Sequence, residues 1–239
     1  MKKRIAVLAG LVLAGCWQYA TAADVTGKVT LKGTPPPETP ITFTDECTPL
    51  HPTQTTTRRY VVGKENGLKD VFVYISKGCE GKTFPTPTTA VEIDQSKCSY
   101  QPYVVGAMVG QKIQFKNSDP ILHNIHSQPK VAGNDEFNIP QAKQGQMDEK
   151  TFAKPGVMVK IKCDVHPWMF SYVGVCDHPF FAVTDENGNF KISNLPAGEY
   201  TLTAYHLKAH GTSPGVSQTI KVEGDKAVTA DFTVEVPAS

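Results

Sequence analysis

The 239-residue sequence has no apolar run approaching the ~18 residues that a membrane-spanning helix requires, so no such helix is expected. It has no Cys-x-x-Cys pair, and hence no Cys-x-x-Cys-His. That excludes covalently attached haem and disfavours a thioredoxin-like redox role. Neither sign of charge is in excess: 24 Lys+Arg stand against 23 Asp+Glu. Three of the cations (Lys2, Lys3, Arg4) fall in the first 22 residues, leaving 21 against 23 and a net charge of −2 on the remainder. Nucleic acid is therefore not an expected partner, because phosphate binding needs a concentrated basic surface. Long helices are also improbable, since 19 Gly and 18 Pro punctuate the chain. Strands joined by turns are the default for such a composition.

The N-terminus reads as an export signal over residues 1–22. Lys2-Lys3-Arg4 forms the positive region and Ile5 to Gly15 the apolar one. Two processing routes stay open. Leu13-Ala14-Gly15-Cys16 resembles a lipobox, which would place a lipid anchor on Cys16; Ala20-Thr21-Ala22 is an ordinary small-residue cleavage site. Either route delivers the chain to an oxidising compartment, periplasmic or extracellular. Five cysteines then remain: Cys47, Cys79, Cys98, Cys163 and Cys176. An odd number leaves at least one thiol unpaired, and four allow three pairings. Cys47 and Cys98 sit in irregular stretches, whereas Cys79 and Cys176 flank strand ends. The pairing chosen is therefore Cys47–Cys98 with Cys79–Cys176.

Strand patterns recur along the chain. Val25 to Leu31 and Val71 to Ile75 read as strands, and Lys112 to Lys116 alternates like a half-buried one. Val157 to Cys163 alternates too, with Val157, Val159, Ile161 and Cys163 as its inward set. After Cys176 the texture changes. Thr184-Asp185, Gly188, Phe190, Ile192, Leu195-Pro196, Gly198, Tyr200 and Leu202 form a run that resembles the transthyretin-like, carboxypeptidase-regulatory β-sandwiches. That resemblance implies a fold and little about function.

Two segments carry chemistry. One is Asn117-Ser118-Asp119-Pro120-Ile121-Leu122-His123-Asn124-Ile125-His126; the other is Cys163-Asp164-Val165-His166-Pro167-Trp168-Met169. Together they offer imidazoles, one thiol and one thioether. Such a set suits a copper ion that alternates between Cu(I) and Cu(II). Zinc also takes Cys and His, but its structural sites draw on more thiolates and avoid thioether. Cys163 ends a strand, and His166 and Met169 follow at three-residue intervals on a loop stiffened by Pro167. One loop can then present three donors to one point, with His123 arriving from a separate strand.

On these residues the chain from about Tyr103 to Val175 resembles the cupredoxins, the type 1 blue copper proteins of the amicyanin and plastocyanin kind. The resemblance rests on His123-Asn124-Ile125-His126 and on Cys163-x-x-His166-Pro167-x-Met169. It implies one type 1 copper on His123, Cys163 and His166, with Met169 as weak axial ligand. Asn124 would tie the two ligand segments together, and Pro167 and Trp168 would flank the cofactor. The whole chain also resembles exported bacterial proteins that join a plastocyanin-like domain to a regulatory-like sandwich. The expected architecture is all-β: a Greek-key cupredoxin sandwich with an extended N-terminal region over residues 23–178, then a small transthyretin-like sandwich over 179–239.

His126 lies on the opposite strand face from His123 and is taken as a non-ligand. His51, His178, His206 and His210 lack convergent spacing and read as structural or solvated. The copper Cys has Lys162 and Asp164 as neighbours rather than a His leading to a catalytic copper, and no second ligand Cys lies nearby, so no enzymatic turnover is expected. Two functions follow from the resemblance. The first is a one-electron carrier between redox proteins such as a c-type cytochrome or a dehydrogenase. The second is copper delivery or buffering without redox traffic. For the carrier, the expected electron exit is a solvent-facing His166 edge, ringed by the small apolar face of Pro167, Trp168 and Phe170.

Overall fold

A computed structural model describes residues 21–211 and 213–237. Residues 1–20 of the export segment, with the lipobox reading of Cys16, lie outside the described residues. Among those residues no helix is long and apolar enough to cross a membrane.

The chain folds into two β-sandwiches. In the first, a five-stranded sheet runs in the order Val104–Met108, Phe170–Cys176, Gly156–Lys162, His123–Gln128, Asn138–Gln141. It faces a four-stranded sheet of Tyr100–Gln101, Val91–Gln95, Ile113–Asn117 and Met147–Lys150. Ile93, Ile113, Phe115, Ile125, Ile161 and Val173 are fully buried between them. Period-2 alternation places one side of each strand there. Val157 breaks the expected inward set. It is exposed while Met158 is buried, because the strand register shifts between Gly156 and Val159 and Met158 takes a φ of 59°. That bulge moves the alternation by one residue, so Val159, Ile161 and Cys163 still face inward.

The second sandwich takes in strands that the expected division gave to residues 23–178. Its strands Phe181–Val183, Gly198–Tyr205 and Val216–Val222 form a sheet with Phe72–Lys77, which pairs with two of them. Its other sheet is centred on Ala22–Lys32, antiparallel to Asn189–Pro196 and parallel to Val228–Thr229 and Phe232–Glu235. Residues 22–32 and 72–77 thus complete the C-terminal sandwich rather than extending the first. Their alternation specified a buried face but not which sheet supplied the neighbours.

A third apolar cluster, with Phe72, Tyr103, Val104, Tyr172, Cys176 and Tyr205 at its centre, joins the sandwiches. Gly106 and Gly174 are register partners on adjacent strands of the first sandwich. A Cβ on Gly174 would stand 2.3 Å from the Phe72 ring, and one on Gly106 would stand 2.3 Å from Phe181. The rings of one sandwich lie in a trough that only glycine leaves open. Gly174→Ala should therefore cost about 1–3 kcal/mol in urea unfolding. Adding Phe72→Leu should recover part of that loss; an unchanged midpoint for Gly174→Ala would show that the interface is loose.

Candidate metal centre

His123 opens the strand His123–Gln128, and Cys163 directly follows the adjacent antiparallel strand Gly156–Lys162. The loop after Cys163 is closed by two backbone bonds: Cys163 N–H donates to the Met169 carbonyl at 3.0 Å, and Met169 N–H to the His166 carbonyl at 2.9 Å. One donor atom each from His123, Cys163 and His166 lies within 4.8 Å of the others. Both imidazoles are wholly buried, and Cys163 is 2% exposed. Met169 is buried in the same apolar cluster as Cys163. His126 stays outside this group: its Nδ1 lies 2.8 Å from Asp164 and its Nε2 2.5 Å from Glu136.

Asn124 joins the two ligand segments. Its Oδ1 accepts from Asp164 N–H at 2.7 Å and from the Cys163 thiol at 3.3 Å. Its Nδ2 donates to Asn138 at 2.6 Å and to Asp164 at 3.1 Å. Pro167 is exposed and Trp168 half-buried. The Trp168 indole N–H donates to the Cys98 carbonyl at 3.0 Å.

Two carboxylates that sequence reasoning did not single out complete the site. Asp119 Oδ2 lies 3.1 Å from His123 Nε2. The same carboxylate accepts from the backbone N–H of Lys97 and of Cys98, each at 2.7 Å. Glu46 Oε1 lies 3.2 Å from His166 Nε2. A carboxylate only accepts, so both Nε2 atoms carry the proton and both Nδ1 atoms turn a lone pair inward. These two Nδ1 atoms face each other at 3.0 Å. Acceptor opposite acceptor is stable only with a cation between them, a proton or a metal ion. With a thiol alongside, the donor set fits copper.

Without a metal ion, the electrostatics favour the proton as that cation, on His123. Burial alone would raise the Cys163 thiol, but hydrogen bonds from His123 and from the backbone around Asn124, Val165 and His166 bring it below the ordinary thiol range. Burial would lower His123, but Asp119 and Cys163 outweigh it and raise that imidazole. Burial lowers His166, against the opposing pull of Glu46. Asp119 ends below the usual carboxylate range, because the His123 contact and the Cys98 and Lys97 N–H groups outweigh its burial.

His166 corrects one expectation: its edge does not reach solvent. A strap from the N-terminal region covers it. The ladder Ile41 N–H to Thr55 carbonyl and Thr57 N–H to Thr39 carbonyl closes this strap at its base. Its tip is pinned by the Cys47–Cys98 disulfide, 51 residues apart in sequence. The disulfide sulfurs lie within 4.8 Å of a His166 nitrogen. Phe43 of the strap stacks on His51 at 3.9 Å and meets Trp168 edge-on at 5.1 Å. The expected partner bridge Cys79–Cys176 is not formed. Both are free and buried, and they line one cavity without being bonded. Of the remaining histidines, His51 and His178 bond the Lys97 and Ile75 carbonyls, and His206 caps a short helix.

Outer carboxylates fix ring orientation and typically govern metal affinity by 10–100-fold. Asp119→Asn should therefore weaken copper binding about 10–100-fold in competition with a chromophoric Cu(I) chelator. Unchanged affinity would reduce Asp119 to a staple for the Lys97–Cys98 turn.

Comparison with known proteins places both halves. Residues 87–176 match the family of copper binding proteins described as plastocyanin/azurin, and residues 177–235 match the carboxypeptidase regulatory-like domain. No curated protein matches the chain. Among solved structures, similarity extends to a proline-to-alanine mutant of amicyanin in its oxidised state, at 28% identity over 36% of this chain and 81% of that one, with a TM-score of 0.33. A purple cupredoxin from Nitrosopumilus maritimus is 27% identical over 36% of this chain and 98% of its own, with a TM-score of 0.30. The copper-containing nitrite reductase of Thermus scotoductus SA-01 is 23% identical over 42% of this chain, which spans only 25% of that protein, with a TM-score of 0.34. The chain thus carries a cupredoxin domain of the plastocyanin/azurin copper-binding family, followed by a carboxypeptidase regulatory-like domain.

Proposed function

We propose that the protein is an exported one-electron carrier with a single type 1 copper held by His123, Cys163 and His166, and with Met169 on the axis. The opposed Nδ1 pair at 3.0 Å beside a thiol carries this reading. Bound there, copper supplies a one-electron couple between Cu(I) and Cu(II). The residues around it do the rest. Asp119 and Glu46 hold the two rings by their Nε2 atoms, so neither turns as the site changes charge. The Asn124 backbone N–H and the closed ligand loop fix the sulfur. Donors held in one geometry through both states lower the reorganisation that slows electron transfer.

Burial of all three donors favours transfer over turnover, since no substrate could sit among them. It also disfavours handing on the metal, which would require ligand exchange beneath the strap. The Cys47–Cys98 disulfide fits the periplasm or another oxidising compartment. Partners of the c-type cytochrome or dehydrogenase kind suit such a carrier.

Copper titration followed by visible spectroscopy tests the reading. Cu(II) should give an intense thiolate charge-transfer band that Cys163→Ser abolishes without unfolding the protein. A colourless, tightly held Cu(I) that air does not oxidise would favour delivery or buffering instead. Met169→Leu should keep copper and colour but raise the reduction potential in voltammetry, because a donor to Cu(II) is lost. Loss of copper on that change would give Met169 a holding role.

A further inference from the structure

We propose that the face around Trp168 docks an acidic redox protein, and that electrons leave the centre through the Trp168 indole rather than through a ligand imidazole. The inference rests on the electron-carrier reading and names its partner's chemistry and its exit.

The imidazole route is closed. His123 and His166 are both wholly buried, and their outer nitrogens are taken by Asp119 and Glu46. Next to them, Trp168 is the aromatic that reaches outward. Its ring centroid lies 5.2 Å from that of His166, and the indole N–H is fixed on the Cys98 carbonyl. The indole is half-buried and lines an open cleft of about 450 Å³, together with Met169, Tyr103 and Phe170. A ring that touches a ligand on one side and an open cleft on the other is a short path between centre and surface.

The cleft has one sign of charge. Arg58, Arg59 and Lys208 line it, and among the described residues no carboxylate does. Lys160 adds a fourth cation at the rim, its ammonium 5.5 Å above the Phe170 ring. Carboxylates lie behind some of these groups: Asp70 pairs with Arg58 at 3.1 Å, Glu38 stands close to Arg59, and Asp164 pairs with Lys162 at 2.6 Å. Lys160 and Lys208 remain as like charges near each other. Burial, then Lys162 and Lys208, lower the Lys160 ammonium below the ordinary range. Partly desolvated cations that repel one another are relieved by carboxylates from outside. This basic patch stands out on a mature chain whose net charge is −2. Complementary charge speeds and orients encounters that are otherwise weak. Aromatic rings among the cations give the small apolar contact such encounters use.

Stopped-flow oxidation of the copper-loaded, reduced full chain tests this. Hexacyanoferrate(III) is the anionic oxidant and tris(phenanthroline)cobalt(III) the cationic one. In each reaction Cu(I) loses one electron and the Fe(III) or Co(III) complex gains it. Hexacyanoferrate should react faster at low salt than at high salt. Lys160→Glu with Lys208→Glu should slow it by about tenfold or more while sparing the cobalt complex. Trp168→Leu should slow both oxidants without changing the visible spectrum. Polyglutamate should inhibit the hexacyanoferrate reaction of the wild type but not that of the double Glu variant.

Equal rates across all variants would overturn the docking face and leave the carrier reading standing. Sensitivity to the Lys substitutions without polyglutamate inhibition would make the cleft a small-anion site, and would also overturn the proposal. A copper-loaded wild type that neither reagent oxidises would overturn the carrier reading, and this inference with it.

Discussion

Two lone pairs set face to face govern the centre. His123 Nδ1 and His166 Nδ1 stand 3.0 Å apart because each ring donates its other nitrogen to a carboxylate. Such a contact, wholly buried, is costly unless a cation occupies it. The surroundings are built to keep it. Asp119 is itself fixed by two backbone N–H groups and by the Asn117 side chain, whose Oδ1 accepts from Asp119 N–H at 3.0 Å. Asn117 in turn donates to the Ile121 and Gln141 carbonyls, which locks the turn leading into His123. Hydrogen bonds thus run unbroken from sheet backbone to ligand nitrogen.

On the His166 side the same task falls to a remote segment. Glu46 is 120 residues from His166 in sequence and reaches it only because the neighbouring Cys47 is bonded to Cys98. Closing a loop of this size removes about 4 kcal/mol of denatured-state entropy in the chain-entropy account. Its structural effect is local. Cys98 N–H serves Asp119 and its carbonyl accepts from Trp168, so one half-cystine touches the support of His123 and the indole beside His166. The disulfide and the candidate metal site are therefore one assembly, and the strap that carries Glu46 closes the His166 side of it.

Local patterns made part of this readable. Ile113 and Phe115 alternate and are fully buried; Cys163, His166 and Met169 share one short loop. The Asp185-to-Asn189 turn forms as its residues imply, with Gly188 N–H on the Asp185 carbonyl. What stayed hidden was long-range. The alternation of Val25, Val29 and Leu31 specifies a buried face but not its partner, which turns out to lie in the second sandwich. The bulge at Met158 has no composition of its own, and Val157 was placed inward. Glu46 carried no local signal, and without it the His166 edge read as open. Cys79 and Cys176 do line one cavity, as their flanking positions suggest, but no bond joins them.

The second sandwich acquires a role from this topology. Ala22–Lys32 lies in it, the chain then crosses to cover His166 with the strap, and it returns with Phe72–Lys77 before the strands of the first sandwich. Both ends of the strap are therefore strands of the second sandwich, while its middle is bonded to the first. Lys208, on the short helix after Gly198–Tyr205, comes from the second sandwich and lines the same cleft as Trp168. A rigid joint is needed for such a shared surface, and the Phe72 and Phe181 rings seated over Gly106 and Gly174 provide it. The regulatory-like sandwich is thus part of the wall around the candidate metal centre: it anchors the strap that closes one imidazole edge and supplies charge beside the indole that stays open.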